Sequence, residues 1–265
     1  MKKLSKKEIY AQQGIAYVSG KIDAPLFGLI PPVLINGNGK LGVGVWTFST
    51  LAGNRFYHVG SGSDCMDVAG TCPLSCPGCY AQTGRYNSDT VMQANARKTV
   101  LAKLYLSWLE RAIIAQIDAD HVRLLRIHAS GDFFSAEYVD MWRRIALARP
   151  AVVMWTYTKY ALAENAFYDV PNVNVVKSLI PGRGVNYGTC SYVMDAYDAL
   201  RQAGESVYIC RCGIDDAQHC VNCKGCTSHN YVLFVEHSTG YVAKSDPAYS
   251  ALVDVIDAQA SQQID

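Results

Sequence analysis

The sequence predicts an α/β fold of parallel strands and crossover helices, on three observations. From residue 90 onward, helical periodicity and short strand-like runs alternate at least four times, the order that parallel strands joined by helices require. The run 151–158 begins almost continuously apolar, as a strand buried on both faces does. Half of the 265 residues are hydrophobic, enough for one large core or two small ones. The βα units number about five or six, short of an eightfold barrel. A partial barrel and a doubly wound open sheet would both give this alternation.

The elements follow in order. Residues 6–17 carry a short amphipathic helical pattern. Residues 26–35 are apolar but contain Pro31 and Pro32, and read as an extended connector. Asn36-Gly37-Asn38-Gly39 is a turn signal, followed by strands at 41–48 and 54–59. Ser88 and its neighbours Asn87 and Asp89 supply an N-cap for one long helix over about 90–117. Strand 122–127 ends in His128-Ala129-Ser130-Gly131-Asp132-Phe133-Phe134, and Ser135 caps a helix showing Tyr138, Met141, Trp142 and Ile145. Strand 151–158, helix 161–167, strand 174–180, helix 191–203 with Gly204 as its stop, and strand 206–210 complete the alternation. A hairpin over 231–236 and 240–244 and a helix over 246–258 close the chain.

The formal net charge is +1, which gives no overall attraction to nucleic acid or anionic membrane. Lys2, Lys3, Lys6 and Lys7 read as a solvated helix end. No signal peptide is visible and no apolar run approaches a membrane span, so a cytoplasmic protein with no membrane partner is expected. In a reducing compartment ten cysteines point to metal rather than to a disulfide framework. Eight of them fall in two groups, 72–79 and 210–226, while Cys65 and Cys190 stand apart.

The first group, Thr71-Cys72-Pro73-Leu74-Ser75-Cys76-Pro77-Gly78-Cys79-Tyr80-Ala81, can bring three sulfurs onto one centre. Thiolates favour zinc and iron–sulfur clusters. A structural zinc site is normally closed by four protein ligands, whereas a cubane [4Fe-4S] cluster on three cysteines keeps one iron open. The spacing Cys-x3-Cys-x2-Cys resembles the signature of the radical SAM superfamily. One position departs from it: the aromatic residue usually found just before the third cysteine is Gly78 here, and Tyr80 follows instead.

That resemblance implies a partial (β/α)6-type barrel with the cluster loop after its first strand. It also implies S-adenosylmethionine bound at the free iron, and a flavodoxin- or ferredoxin-like electron donor as partner. Cys72, Cys76 and Cys79 are then the catalytic cluster ligands. Ser130-Gly131-Asp132 occupies the place of that family's Gly-Gly-Glu segment, at a strand's carboxyl end where α/β sheets bind ligands. With Tyr80, Thr158 and Ser178 it makes up the expected cofactor-binding set. Asp132 as a plain turn and helix cap is the competing reading. For His128 a hydrogen-bonded core position is expected.

In the second group, Cys220-Val221-Asn222-Cys223-Lys224-Gly225-Cys226 resembles a ferredoxin-type run, with Cys210, Cys212 or Cys190 as remote ligand. A zinc knot of Cys212, Cys220, Cys223 and Cys226 is the alternative. The metal set expected at this second [4Fe-4S] or zinc site is therefore Cys210, Cys212, Cys220, Cys223 and Cys226. The expected division is an N-terminal extension (1–40), an α/β partial barrel with the cluster loop (41–209), a small cysteine-rich metal-binding insert near the C-terminus (210–230), and a hairpin with a helix (231–265).

A second likeness is closer. Arg126-Ile127-His128-Ala129-Ser130-Gly131-Asp132-Phe133-Phe134, with Cys79-Tyr80-Ala81 upstream and Thr156-Tyr157-Thr158-Lys159 downstream, is similar to the phage gene-product-88 family over most of 41–226. It implies a phage or mobile-element origin, hence host cytoplasm, and brings no activity. Two functions follow as expectations. One is a radical SAM enzyme acting on an unknown substrate, for which a nucleotide or nucleic acid suits a phage setting. The other is a non-catalytic zinc- or iron–sulfur-stabilised binding or redox protein.

Overall fold

The computed structural model describes residues 4–37, 41–53, 55–60, 65–72, 74, 79–211, 214, 220–235 and 244–261. The chain forms two compact units. The first comprises Met1–Asn36, Gly44–Met154 and Lys159–Val173; the second comprises Gly37–Val43, Trp155–Thr158 and Asn174–Asp265. Both are mixed α/β, and the parallel pairing expected from the sequence is present in each.

The first unit opens with helix α1 (Lys6–Gln12), held by a capping box in which Ser5 and Glu8 satisfy each other's backbone amides. Strands β1 (Tyr17–Val18), β2 (Lys21–Ala24) and β3 (Gly28–Ile30) form a small antiparallel sheet. This corrects the extended connector expected over 26–35: Leu26 turns with a positive φ of 65° and the chain doubles back. β4 (Ile35–Asn36) pairs antiparallel with β5 (Val45–Thr47), and β5 pairs in parallel with β8 (Leu124–Ile127). β5 is shorter than expected because Gly42 and Gly44 both take positive φ, a backbone state outside the strand region.

The connection from β5 to β8 is long. It contains a hairpin, β6 (Phe56–Val59) and β7 (Met66–Ala69), then the first cysteine group and two 3₁₀ turns. Helices α2 (Asp89–Leu104) and α3 (Leu106–Ala119) follow. They replace the single helix expected over 90–117. Tyr105 leaves helical geometry (φ −132°, ψ 44°), although its amide still donates to the Leu101 carbonyl and its carbonyl accepts from Leu109. The hydrophobic pattern runs straight through this break, so periodicity could not reveal it. β8 leads through α4 (Ala136–Ala148), capped by the Ser135 hydroxyl, to β9 (Val153–Thr158) and α5 (Ala161–Ala166). Phe48, Leu109, Ile113, Leu125, Ile127, Phe133, Tyr138 and Trp142 are fully buried and form its core.

In the second unit the end of β9 is followed by β10 (Val173–Lys177) and a small hairpin, β11 (Leu179–Ile180) with β12 (Gly184–Val185). Then come β13 (Tyr187–Gly188), α6 (Cys190–Gln202), β14 (Val207–Ile209), the single turn α7 (Gly225–Ser228), β15 (Tyr231–Val235) and α8 (Tyr249–Ser261). β15 is the central strand and pairs in parallel with β10, β13 and β14. It was expected as the first arm of a hairpin, whose turn and second arm (236–243) lie outside the described residues. Val193, Ala196 and Leu200 of α6 and Leu252 and Ile256 of α8 pack on Ile209 and Leu233.

Candidate functional site

The site is built at the carboxyl ends of β5 and β8, in the first unit. Their pairing continues past the strands: Phe48 N–H donates to the Arg126 carbonyl, Ala129 N–H to Phe48, and Thr50 N–H to Ser130 at 2.9 Å. The Ser130 hydroxyl returns a bond to the Thr50 carbonyl at 3.0 Å. Thr71, just before Cys72, enters the same network. Its hydroxyl lies 2.8 Å from the Thr50 hydroxyl and accepts the Asp132 amide at 3.0 Å. Gly131 has φ +83°, and a Cβ there would stand 1.9 Å from Thr50 Oγ1. Only glycine permits that conformation and that approach together.

Thr71, the residue before Cys72, is thereby tied to the Ser130-Gly131-Asp132 segment. Cys72 Sγ accepts the Gly53 amide at 3.1 Å. Cys79 precedes a 3₁₀ turn, and its carbonyl accepts the Gln82 amide at 2.9 Å. Cys76 lies outside the described residues. From the next position the Tyr80 hydroxyl donates to the Ala129 carbonyl at 2.6 Å, and Arg126 donates to the same hydroxyl at 2.9 Å. Tyr86 also donates to Ala129, at 3.2 Å. Burial is the main cause that pushes its phenol up to about 12, so it remains a neutral donor at neutral pH.

Asp132 is 4% exposed and its carboxylate is engaged: Oδ1 accepts the Phe133 amide at 2.8 Å and Oδ2 the Lys159 amide at 3.0 Å. His128 lies in the core at φ +60°, with Nε2 2.9 Å from the Tyr138 hydroxyl and its ring among Phe48, Phe133 and Trp142. Burial first, and the Arg126 charge second, lower its pKa to about 3. It is neutral at physiological pH and supplies no proton there.

Lys98 was not visible as special in the sequence. It faces inward from α2, its ammonium 5.6 Å from the centre of the Phe48 ring and without a hydrogen-bond partner among the described residues. Burial pushes it down to about 8. A lysine in a helical pattern ordinarily marks the solvated face, and no sequence signal distinguishes this one.

Thr158 and Ser178 belong to the second unit, where the Ser178 amide donates to the Thr158 carbonyl at 3.1 Å and both residues are buried. Of the second cysteine group, Cys226 lies in α7, Cys220 and Cys223 shortly before it, and Cys210 just after β14. Cys220 and Cys223 are joined by a backbone bond, the Tyr208 hydroxyl lies 3.6 Å from Cys223 Sγ, and the Tyr157 hydroxyl donates to Cys226 Sγ. Asn174 donates to the carbonyls of Cys226 and His229, and Cys210 N–H to Leu233. Cys212 lies outside the described residues. Among the described residues no three His, Cys, Asp or Glu side chains are gathered as a metal-binding group. Neither cysteine group is described in full, since each has a member outside those residues.

A family model described as Gene product 88 matches residues 32–248. The Gene 88 protein of Mycobacterium phage L5 is 29% identical over 113 residues, which is 39% of this chain and 46% of that protein. The chain thus spans about half the length of the curated relative it matches. No solved structure matches. None of the helices among the described residues is long and apolar enough to cross a membrane.

Proposed function

The chain belongs to the gene product 88 family, and from that premise we propose that its three-cysteine loop holds a [4Fe-4S] cluster and that the protein is a radical SAM enzyme of phage origin. One observation carries the proposal. Two segments far apart in sequence, the loop beginning at Thr71 and the segment ending at Asp132, meet at the carboxyl ends of parallel strands through the Thr71–Asp132 and Tyr80–Ala129 bonds. That is where α/β sheets bind ligands.

The donor set suits the group. Cys72, Cys76 and Cys79 would supply three thiolates, and the Gly53 amide aimed at Cys72 Sγ favours a charged sulfur there. When bound, such a cluster would supply the single electron needed for reductive cleavage of S-adenosylmethionine. The chain's own part is to bind and orient. The Asp132 carboxylate, held by the Phe133 and Lys159 amides, would orient the ammonium group of the cofactor. Tyr80, fixed between Arg126 and Ala129, would form one wall beside Ser130 and Gly131. Thr158 and Ser178 enter the proposal as cofactor contacts from the sequence alone. The electron donor would be flavodoxin- or ferredoxin-like. Cys210, Cys212, Cys220, Cys223 and Cys226 are proposed as a second [4Fe-4S] or zinc site. The Tyr157 hydroxyl, which donates to Cys226 Sγ, supports Cys226 as one of these ligands.

The test is metal analysis of anaerobically purified protein, followed by incubation with S-adenosylmethionine and dithionite. Iron with acid-labile sulfide, and formation of 5′-deoxyadenosine that Cys72→Ala abolishes, are expected. Stoichiometric zinc without iron, or cleavage undiminished in Cys72→Ala, overturns the reading.

A further inference from the structure

We propose that the second unit carries a separate binding groove for a nucleoside 5′-phosphate, formed between the end of α6, the start of β14, α7 and α8. The groove has a volume of about 430 Å³, within the range of small-molecule sites, ~300–1,000 Å³. Among the described residues that line it, the charged ones are Arg201 and Lys224. Two cations in one concave surface, with no carboxylate among the described lining residues, favour an anion. Arg201 lies in the last turn of α6 and offers a planar fork suited to phosphate oxygens.

Lys224 stands on a fixed backbone. Its carbonyl accepts the Thr227 amide at 3.1 Å, the Thr227 hydroxyl at 3.0 Å and the Ser228 hydroxyl at 2.6 Å. The rest of the wall suits a base and a sugar. Tyr197 and His229 present half-buried rings, and the His229 ring is set 5.3 Å from the Tyr208 ring, tilted by 35°. The His229 ring is oriented by Nδ1, which lies 3.0 Å from the Gly225 carbonyl. Ser206 adds a hydroxyl at the β14 side. A bare phosphate would leave most of this volume and both rings unused. Stacking on aromatic faces with a cation on the phosphate is the general chemistry of nucleotide capture.

The groove rests on residues 197–259 alone and is independent of the reading of the first cysteine group. The experiment is calorimetric titration of the full-length, anaerobically purified protein with deoxyadenosine 5′-monophosphate, deoxyadenosine, inorganic phosphate and a 5′-phosphorylated deoxyoctanucleotide. The monophosphate is expected to bind more tightly than either deoxyadenosine or phosphate. The double variant Arg201→Gln/Lys224→Gln, changed only at exposed positions, is expected to weaken it at least about tenfold. Equal affinity for the free and the polymeric 5′-phosphate identifies a mononucleotide ligand; tighter binding of the octanucleotide identifies a strand end, and both support the groove. Absence of nucleotide binding, binding unaffected by the double variant in protein with an unchanged circular dichroism spectrum, or phosphate binding as well as the monophosphate overturns it.

Discussion

The Thr71 hydroxyl accepts the Asp132 amide at 3.0 Å while lying 2.8 Å from the Thr50 hydroxyl. One buried side chain thus joins the residue before Cys72 to the segment that ends β8.

Thr71→Val keeps the shape and removes the acceptor, leaving a buried amide unpaired. The expected loss of stability is about 1–3 kcal/mol, read by urea denaturation, with Thr71→Ser close to wild type. Equal stability of the valine variant would mean the bond contributes nothing.

Gly131→Ala brings a Cβ against Thr50 Oγ1 and strains a φ of +83°. A destabilisation of about 2–4 kcal/mol is expected. Gly204→Ala is the control, since it has a similar positive φ of 77° with nothing within 4 Å of the added carbon. The difference between the two melting curves isolates the close approach.

Lys98 gives a pH dependence of defined sign. Burial lowers its pKa from 10.5 to about 8, so between those values the unfolded chain binds more protons than the folded one. Its contribution therefore rises with pH across that window and is lost as pH falls through about 8. At neutral pH the buried ammonium costs stability. Lys98→Met should be more stable than wild type at pH 7 by about 2–3 kcal/mol and lack this rise. Denaturation of both proteins at several pH values checks it.

His128 acts in acid. Its pKa is lowered from 6.5 to about 3, so the unfolded state takes up the proton first and stability falls as pH drops through that interval. Its ring signals in NMR should not titrate between pH 5 and 8. His128→Asn, which tolerates the positive φ, should show a shallower acid dependence; a ring titrating near 6.5 would contradict the buried, neutral assignment.

Cys72 and Cys190 should behave differently. Cys190 is 1% exposed in the core of the second unit, and burial raises its thiol pKa. Cys190→Ser should retain the iron content of wild type and lose roughly 1–2 kcal/mol of stability. Cys72→Ser should lose the iron of the first site. Iron assays on both variants decide between a ligand and a packing role for each.

The alternation of strands and helices, the Ser135 cap and the apolar face of Tyr138, Met141, Trp142 and Ile145 were legible because each is local and periodic. The first cysteine group and the Ser130-Gly131-Asp132 segment were legible because their residue types are chemically unusual in such runs. β7, the break at Tyr105 and the doubling back at Leu26 were not, since each depends on which partner the chain meets. The sequence by itself determined the α/β class, the family and the residues able to do chemistry. Only the tertiary structure decided that Thr50 and Thr71 tie two distant segments together, that both Asp132 oxygens are already engaged by amides, and that Lys98 points inward. Those facts depend on long-range contacts, and hydrophobic periodicity carries no record of which distant segment an element will meet.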